Sequence, residues 1–577
     1  MSRTAAASLV STALRVRPQQ IMHRARLRGQ QALVRRWPGV ARRLFRGPDP
    51  ASAVGWPPVF RPVDARTPGH WPGLPELEAG KIRLLGMPAD LRDPPDWGQR
   101  DAPLLWRFHL HYWDWAWGLA AAADRTRARA LFARLWRSWH AHTEWGRGDA
   151  WLPYPAALRA WSWCGLHAAL VAGGDFEPSF AAELAAHAGF LRRHLETDVG
   201  GNHLIKDLKA LAGLAVFFGD DRLLRFALRR LARQIGVQVL PDGGHYERAP
   251  AYHCQVLADL LDLAALLQAS AHPVPPELIA AIDRMRDWLG AVVGPDGQVP
   301  LLNDGYPVST ELLAALRPSP PPAGHLWVLP ETGLVRAAAA GWHLLADVGA
   351  PCPAGLPAHA HADSLGCLLY VDGAPLLVDT ATSTYAPGAA RDYERSTAAH
   401  NTAEIDSADS TTVWGAFRAG RRARVAGVSV AADASGISAE AAHDGYRRLP
   451  GRPVHHRRWR LARAGLQVDD LITGRGRHAV AVRWHLAPGC TVLLSGGTAT
   501  IIAASGMVQM SVRATAPLEL TAETRPVAAG FGVTTPASVL VCRADAVLPL
   551  TVTTAWSRPG GAGTHREPGR QLAGVTA

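Results

Sequence analysis

The chain has 577 residues, a length that favours two or three domains. Hydrophobic residues make up 48% and charged residues 19% of the chain, which excludes disorder as its main state because large cores can form. Uninterrupted apolar stretches such as Ala210 to Phe218 are about half the length that crosses a bilayer, which excludes a polytopic membrane protein.

The net charge of +12 is concentrated at the N-terminus. Between Met1 and Gly47 there are eleven arginines and no acidic residue, so the rest of the chain carries about +1 (12 − 11). Non-specific nucleic-acid binding by the main body is therefore not expected. We define residues 1–55 as the basic N-terminal arm. Its apolar side chains can form one side of an Arg-rich amphipathic helix, suited to an anionic membrane surface or an acidic polymer; the alternative is a solvated leader helix. These apolar residues are Leu9, Leu14, Ile21, Met22, Leu27 and Leu33.

Targeting signals in the arm are weak. The stretch Thr4 to Leu14 is short and alanine-rich, and Arg15 follows it at once, which is a poor secretory signal. We expect the protein to act in the cell envelope or periplasm, with the cytoplasm as the alternative. The six cysteines are scattered and indicate neither zinc fingers nor a disulfide scaffold.

Helical periodicity follows the arm, and short connectors with Gly, Asp or Pro separate the segments. Consecutive helices of this length pack as antiparallel pairs in a bundle, a solenoid or a closed toroid. The predicted helices are 104–122, 127–141, 155–172, 177–195, 203–219, 221–238, 250–270 and 275–293.

A proline-rich run from Pro318 to Pro322 ends the helical pattern, and short strands with turn signals follow. Many such strands without intervening helices indicate an antiparallel sandwich. The predicted domains are 56–323, helical, and 324–577, β. The predicted strands are 367–379 with a turn at Asp372 and Gly373, 402–406, 424–431, 457–468, 478–486, 498–512 and 539–556.

Two clusters of chemically active residues lie in the helical domain. Asn202 and His203 begin a predicted helix, where an amide and an imidazole attract a carboxylate; the alternative is that Asn202 only caps the helix. Tyr252 and His253 lie in the first turn of another predicted helix after Pro250, where the helix dipole favours a phenolate; the alternative is packing.

A third cluster lies in the β domain. His359, His361, Asp379 and His400 supply nitrogen and oxygen ligands of the kind zinc prefers, although their spacing is not a standard metal motif. The alternative is a set of histidines at turns and strand ends. No organic cofactor is expected.

The chain has 21 tryptophans, more than twice its nine tyrosines. Aromatic faces stack on sugar rings, and interleaved arginine or histidine can hold acidic groups. Most of these tryptophans are expected to pack between helices and only a few to line a cleft. The predicted substrate-binding residues are Arg159, Trp161, Tyr246 and His253.

Over roughly residues 100 to 560 the sequence resembles the heparinase II/III and alginate lyase superfamily of polysaccharide lyases. The motifs that carry the resemblance are Gly201 to Ile205, Asp242 to His253, His359 to Asp363, and Leu377 to Asp379 continuing through Tyr385 to His400-Asn401-Thr402. The resemblance implies an incomplete (α/α) toroid followed by antiparallel β-sheets, an acidic-polysaccharide substrate and β-elimination beside a uronate.

Position by position, the resemblance also implies roles. Asn202 and His203 would neutralise the uronate carboxylate, Tyr252 would transfer the proton, His359 would be its partner base, and Tyr385 an additional tyrosine. His361, Asp379 and His400 would hold a structural zinc ion.

The elimination requires preorganised donors that meet a developing enolate, and tyrosine can serve as acid and base. The nearly neutral body favours a bacterial exopolysaccharide or envelope glycan over a sulfated animal glycan. One alternative function is a non-catalytic glycan-binding or modification factor in exopolysaccharide assembly. Another is a hydrolase that uses Glu247 and Asp304 as its carboxylate pair.

Overall fold

The computed structural model describes residues 18–63, 71–321 and 324–559. It confirms the predicted order of a helical domain followed by antiparallel β-sheets: helices extend to Leu316, and a β domain begins at Leu326. The predictions for Leu9, Leu14 and the ends of the two terminal regions lie outside the described residues.

Polar caps and a left-handed glycine set the helix boundaries. Asp124 caps the helix that begins at Arg125 by accepting a hydrogen bond from the backbone N–H of Arg127. Asp220 caps the helix that begins at Asp221 in the same way. Gly219, with φ +62°, ends the helix that begins at Gly201. The helices are α1 Pro18–Arg36, α2 Pro38–Leu44, α3 Leu74–Glu78, α4 Leu104–Tyr112, α5 Trp117–Ala121, α6 Arg125–His142, α7 Pro153–Leu170, α8 Glu177–His194, α9 Gly201–Phe218, α10 Asp221–Gln238, α11 Pro250–Ala269, α12 Pro276–Val292, α13 Thr310–Leu316 and α14 Ala389–Arg395.

The first predicted helix, 104–122, is broken in the structure. Trp113 adopts φ +60° and buries its ring, and a short 3-10 turn over residues 114–116 redirects the chain into α5. Hydrophobic periodicity continues across this break, so the pattern alone does not reveal it. Across the three described ranges, no helix is long and apolar enough to span a membrane.

Helix α9 is the centre of the helical domain. Nearly all of its residues are buried, and it packs against α7, α10 and α11. A helix that is buried on all sides holds its N-terminus in a fixed position relative to its neighbours. The motif Gly201-Asn202-His203 occupies that N-terminus.

Three antiparallel sheets build most of the β domain. The five-stranded sheet has the order β3-β4-β5-β6-β7, the four-stranded sheet β19-β20-β15-β8, and the eight-stranded sheet β11-β12-β13-β14-β21-β18-β17-β16. Two-stranded ribbons pair β1 with β2 and β9 with β10. The strands are β1 Lys81–Leu84, β2 Met87–Asp90, β3 Leu326–Leu329, β4 Leu334–Ala339, β5 Trp342–Asp347, β6 Cys367–Val371, β7 Ala374–Leu377, β8 Ala403–Ile405, β9 Val413–Trp414, β10 Arg418–Ala419, β11 Val425–Asp433, β12 Gly436–His443, β13 Val454–Ala462, β14 Gly465–Thr473, β15 Arg477–His485, β16 Thr491–Ser495, β17 Thr498–Ala503, β18 Gly506–Ala514, β19 Glu519–Gly530, β20 Val533–Val547 and β21 Leu550–Ser557.

Three predicted single strands are each two strands in the structure. The segments 457–468 and 498–512 are hairpins that turn back just before Gly465 and Gly506. The segment 539–556 instead passes from β20 in the four-stranded sheet to β21 in the eight-stranded sheet. The side chains alternate on both sides of each break, so the sequence pattern does not reveal it.

The five-stranded sheet joins the two domains. Leu334, Leu345 and Leu368 on one face belong to the helical core, whereas Val335 and Leu344 on the other face belong to the β core. The sheet is thus buried on both faces. The loops that lead into and out of β6 and β7 lie against the starts of α9 and α11, and the third motif cluster lies in these loops.

Candidate active site

The site is built around the carboxylate of Glu247, in the loop before α11. Its Oε1 accepts a hydrogen bond of 2.7 Å from the backbone N–H of Asn202, and its Oε2 accepts one of 3.0 Å from the side-chain amide of Asn202. Gly201 permits this approach, because a β-carbon there would lie 2.1 Å from Oε1 of Glu247. The helix N-terminus thus holds a carboxylate of the protein itself. The predicted role of Asn202 on a uronate carboxylate is corrected, because its amide is buried against Glu247.

His359 lies between two carboxylates. Its Nε2 is 3.2 Å from Oε2 of Glu247, and its Nδ1 is 2.9 Å from Oδ2 of Asp304. Asp304 also pairs with the guanidinium of Arg391 at 2.6 Å and with Nε2 of His361 at 2.8 Å. The side chains of Asp304, Arg391 and His361 are fully buried, so this network orients the imidazole of His359 with little freedom.

Mutual pairing sets the protonation of this network. Burial alone would raise the pKa of the Glu247 carboxyl, but His359 and the N–H of Asn202 lower it to about 2. Burial alone would lower the pKa of His359, but Glu247 and Asp304 raise it to about 9. Burial would raise the pKa of Asp304, and Arg391 with both histidines holds it well below its usual range. His359 is therefore an imidazolium at neutral pH, and its contribution to stability is lost as the pH rises through about 9.

This protonation state changes the role of His359. An imidazolium cannot accept a proton, so the prediction that His359 is the base does not fit the structure at neutral pH. A fixed positive charge at this position can instead meet a carboxylate or an enolate.

The two predicted tyrosines meet beside His359. The hydroxyl oxygens of Tyr252 and Tyr385 are 2.6 Å apart, and the ring centroids of Tyr252 and His359 are 3.9 Å apart. Burial raises the pKa of Tyr252, and Tyr306 and Asp304 raise it further, whereas the hydrogen bond with Tyr385 opposes this. Burial also raises the pKa of Tyr385. The prediction of a phenolate stabilised by the helix dipole is therefore wrong, because both side chains are phenols at neutral pH.

His203 and Tyr246 lie beside the start of α9. The side chain of His203 is 35% exposed, its Nδ1 is 3.2 Å from the carboxylate of Glu196, and its ring lies 4.2 Å from that of Tyr154. Tyr246 accepts a hydrogen bond of 2.9 Å at its hydroxyl from the backbone N–H of Gly201. Both side chains keep some exposed surface, so a ligand that enters along α9 can reach them.

Two predicted substrate-binding residues lie inside the helical core. Arg159 is 0% exposed, and its guanidinium donates to Nε2 of His187 at 3.0 Å and lies 4.5 Å from the ring centroid of Trp139. Trp161 is buried against Trp56, with ring centroids 4.5 Å apart. A polysaccharide cannot contact either side chain, so the predicted binding role is corrected to a structural one.

His253 is also structural. Its Nε2 donates to the carbonyl oxygen of Met285 at 3.0 Å, its Nδ1 accepts from the N–H of His245 at 3.2 Å, and its ring packs on Trp288. Its side chain is 1% exposed, which excludes the predicted contact with substrate.

The predicted zinc ligands are close together but do not form a complete site. Nδ1 of His400 is 2.8 Å from Oδ2 of Asp379, while Nε2 of His400 and Nδ1 of His361 are buried without a hydrogen-bond partner. A carboxylate on one ring nitrogen and a free second nitrogen is the usual pattern of a metal-binding histidine. Among residues 18–63, 71–321 and 324–559, however, no group of three His, Cys, Asp or Glu side chains is arranged to hold a metal ion. The donor types of His361, Asp379 and His400 fit zinc, but the three side chains do not converge on one point in this structure. The zinc ion therefore stays a prediction.

Glu247 and Asp304 do not fit the alternative hydrolase. A hydrolase requires one protonated carboxylic acid of the pair, whereas both side chains here are ionised counter-ions of a single imidazole. Sequence reasoning missed this role, and it missed Arg391 entirely. Asp304 and Arg391 are 87 residues apart in the chain, and no local motif connects them.

Phe531 is a further side chain at the site that the sequence did not indicate. It lies in the turn between β19 and β20, and its ring centroid is 5.2 Å from that of Tyr385 and 5.5 Å from that of Tyr306. The turn is held by a hydrogen bond of 2.8 Å from the N–H of Gly532 to the carbonyl oxygen of Ser383. The partly exposed ring offers an apolar face beside the tyrosine pair.

Two family models match the chain, the heparinase II/III N-terminus over residues 97–317 and the heparinase II/III-like C-terminal domain over residues 321–557. Together they cover both domains that build the site. The chain therefore belongs to the heparinase II/III-like family of polysaccharide lyases.

Solved structures share the fold of a helical toroid followed by a β domain. A crystal structure of heparinase III matches with a TM-score of 0.70 at 15% identity, covering 82% of this chain and 80% of that chain. A mutant of the heparan sulfate lyase HepC from Pedobacter heparinus matches with a TM-score of 0.61 at 15% identity, covering 93% and 89%. Chondroitin AC lyase from Streptomyces coelicolor A3, in complex with chondroitin sulphate, matches with a TM-score of 0.50 at 15% identity, covering 92% and 82%.

One further relative is FtsZ-localized protein C from Caulobacter vibrioides. It is 27% identical over 316 residues, which are 53% of this chain and 52% of that protein. The chain therefore spans about half the length of the relative it matches.

Proposed function

We propose that the protein is an active lyase that cleaves a uronate-containing polysaccharide by β-elimination. The observation that carries the proposal is the packing of the Tyr252 ring on the His359 imidazolium, with the hydroxyl of Tyr252 bonded to that of Tyr385. A proton-transfer pair beside a fixed positive charge is what abstraction of a proton next to a carboxylate requires.

In the proposed reaction the uronate carboxylate lies against His359, with His203 as a neighbouring donor, while Asn202 holds Glu247 in place. The C5–H bond breaks and the proton passes to the phenolate form of the tyrosine pair. The C4–C5 double bond then forms while the bond from C4 to the leaving oxygen breaks, and that oxygen takes a proton from the phenol. No water is consumed and no electron is transferred.

The tyrosine pair must first lose one proton to solvent. The short hydrogen bond between the two hydroxyls can stabilise the resulting negative charge, because the remaining proton is shared. His359 favours the same charge. Since burial raises the pKa of both phenols, we expect turnover to increase with pH until His359 loses its own proton near pH 9.

The proposed substrate is a bacterial exopolysaccharide or envelope glycan, and the proposed place of action is the cell envelope. The charge of the site supports a weakly anionic substrate over a sulfated one. The guanidinium of Arg391 is fully buried against Asp304, and Glu247 offsets His359. Little uncompensated positive charge therefore remains at the site to bind sulfate groups.

Incubation with a panel of uronate polymers, including the capsule of the source organism, tests the proposal. We expect ultraviolet absorbance from the new conjugated double bond to grow with time on at least one polymer. If every polymer leaves the absorbance flat while the protein still binds one of them, the protein is a glycan-binding factor and the proposal fails.

We also propose that His361, Asp379 and His400 move together onto a structural zinc ion, because the unpartnered ring nitrogens of both histidines and the nearby carboxylate are donors that zinc prefers. Purified wild type should contain about one zinc ion per chain, and His361→Ala should contain much less, because one of three ligands is lost. Metal content by atomic emission measures this, with His203→Ala as a control outside the ligand set. Equal, substoichiometric zinc in wild type and His361→Ala would remove the assignment.

A further inference from the structure

The described part of the N-terminal arm exposes large apolar side chains. Ile21, Met22, Trp37, Val40 and Leu44 are each between 49% and 63% exposed. Single exposed apolar residues are ordinary, but five within 24 residues, two near the start of α1 and three at or on α2, are an unusually dense set. We call these five residues the arm patch.

The arm is packed on the body through its other side. Leu27, Val34 and Phe45 are buried, and the ring of Phe45 lies 5.4 Å from that of His194 on α8. Gln20 donates a hydrogen bond of 2.9 Å to the carbonyl oxygen of Gly355 in the β domain. One apolar side of the arm helices therefore packs against the body of the protein. The arm patch is a second set of apolar side chains, exposed to solvent.

The patch follows the helical repeat. At about 100° per residue, Ile21 and Met22 project on the side of α1 opposite Leu27 and Val34. Val40 and Leu44, four residues apart, lie on one side of α2, and Trp37 directly precedes the first residue of that helix.

Arginines surround this patch. Between Pro18 and Gly47 there are eight arginines, all exposed, and no acidic residue. Arg24 pairs with Asp198 at 3.3 Å. The eight arginines are Arg24, Arg26, Arg28, Arg35, Arg36, Arg42, Arg43 and Arg46.

The basic surface continues onto the body. The guanidinium carbons of Arg192 and Arg230 lie 5.5 Å and 4.6 Å from the ring centroid of Phe226. Burial lowers the pKa of Arg230, and the neighbouring Arg233 and Arg26 lower it further. Helices α1, α8 and α10 thus contribute like charges to one surface, and an anionic partner would relieve their repulsion.

We propose that the arm patch and its arginines bind the surface of an anionic lipid bilayer. Exposed apolar residues flanked by arginines are the composition of a helix that lies in the membrane interface, and apolar burial together with charge supplies the two signals that stable attachment needs. An acidic polymer would satisfy the arginines but would leave Trp37, Val40 and Leu44 in water. This inference does not depend on the proposed lyase activity.

Flotation of the full-length protein with vesicles tests the proposal. Wild type should float with vesicles of phosphatidylcholine mixed with phosphatidylglycerol and should remain at the bottom with phosphatidylcholine alone. The variant Trp37→Ser/Val40→Ser/Leu44→Ser should bind the anionic vesicles on the order of tenfold more weakly, because the apolar contribution is lost. Arg28→Glu/Arg35→Glu should also bind more weakly and should lose most of its sensitivity to salt.

The matched control is Leu493→Ser/Leu494→Ser/Ile502→Ser. These side chains on the β16–β17 hairpin are similarly exposed, at 61%, 41% and 47%, and their two strands carry no arginine. The control should float like wild type, and circular dichroism should show that all variants are folded. Equal flotation of wild type and the arm variants, flotation of wild type with phosphatidylcholine alone, or binding to an acidic polysaccharide but to no vesicle would each overturn the proposal.

Discussion

The variant Tyr252→Phe is expected to lose turnover by about 10²- to 10⁴-fold and to keep its fold and its affinity for substrate. The substitution removes only the hydroxyl that lies 2.6 Å from Tyr385, and the ring stays packed against His359. Because binding of the uronate carboxylate is assigned to other side chains, the loss should appear in kcat and leave KM nearly unchanged. Initial rates of ultraviolet absorbance over a range of polymer concentrations measure both constants.

Tyr306→Phe is the matched control for this variant. Tyr306 is a neighbouring, partly buried tyrosine, with its ring centroid 6.0 Å from that of Tyr252, and its hydroxyl bonds Gln255 instead of the tyrosine pair. It should keep most of the turnover. If Tyr252→Phe and Tyr306→Phe both turn over like wild type, the assignment of proton transfer to Tyr252 is wrong.

The variant Asp304→Asn is expected to lower the free energy of unfolding by about 3–5 kcal/mol at neutral pH. The carboxylate of Asp304 is the buried counter-ion of Arg391 and a partner of His359 and His361, and an amide cannot offset these charges. Urea unfolding followed by circular dichroism measures the loss. Turnover should fall as well, because His359 loses one of the two carboxylates that keep it protonated.

The pH dependence of this effect has a definite sign. The pKa of Asp304 in the folded protein lies well below its ordinary value of 3.8, so its contribution to stability is present above that value and is lost as the pH falls. The gap in stability between wild type and Asp304→Asn should therefore narrow in acid.

The variant Asp470→Asn tests whether a loss of stability by itself lowers turnover. Asp470 is the buried partner of Arg457 and His455, both at 2.6 Å, on β13 and β14 within the eight-stranded sheet. Asp470→Asn should lower the free energy of unfolding about as much as Asp304→Asn does, while the folded fraction keeps its turnover. A comparable loss of specific activity in both variants would mean that Asp304 acts only through the fold.

The contact between Tyr252 and His359 shows how much of the site the sequence pattern predicts. Asn202, Tyr252, His359 and Tyr385 lie in separate sequence motifs, and the structure brings them into one connected group. Their roles in catalysis stay predictions. The sequence predicts Arg159 and His253 as binding residues for similar reasons, but both are buried, because a residue type that binds sugars at a surface also packs well in a core.

The amino-acid sequence by itself determined the order of a helical and a β domain, the ends of most helices and the concentration of charge in the arm. These features depend on local periodicity, caps and turn residues, which act over a few positions along the chain. The protonation of the site was decided only by the tertiary structure. Glu247 lies 45 residues from Asn202 and Asp304 lies 55 residues from His359, so the pairing that ionises both carboxylates exists only when α9, the loop before α11 and the β-domain loops meet. Charge interactions depend on distance in space, and no pattern along the chain encodes that distance.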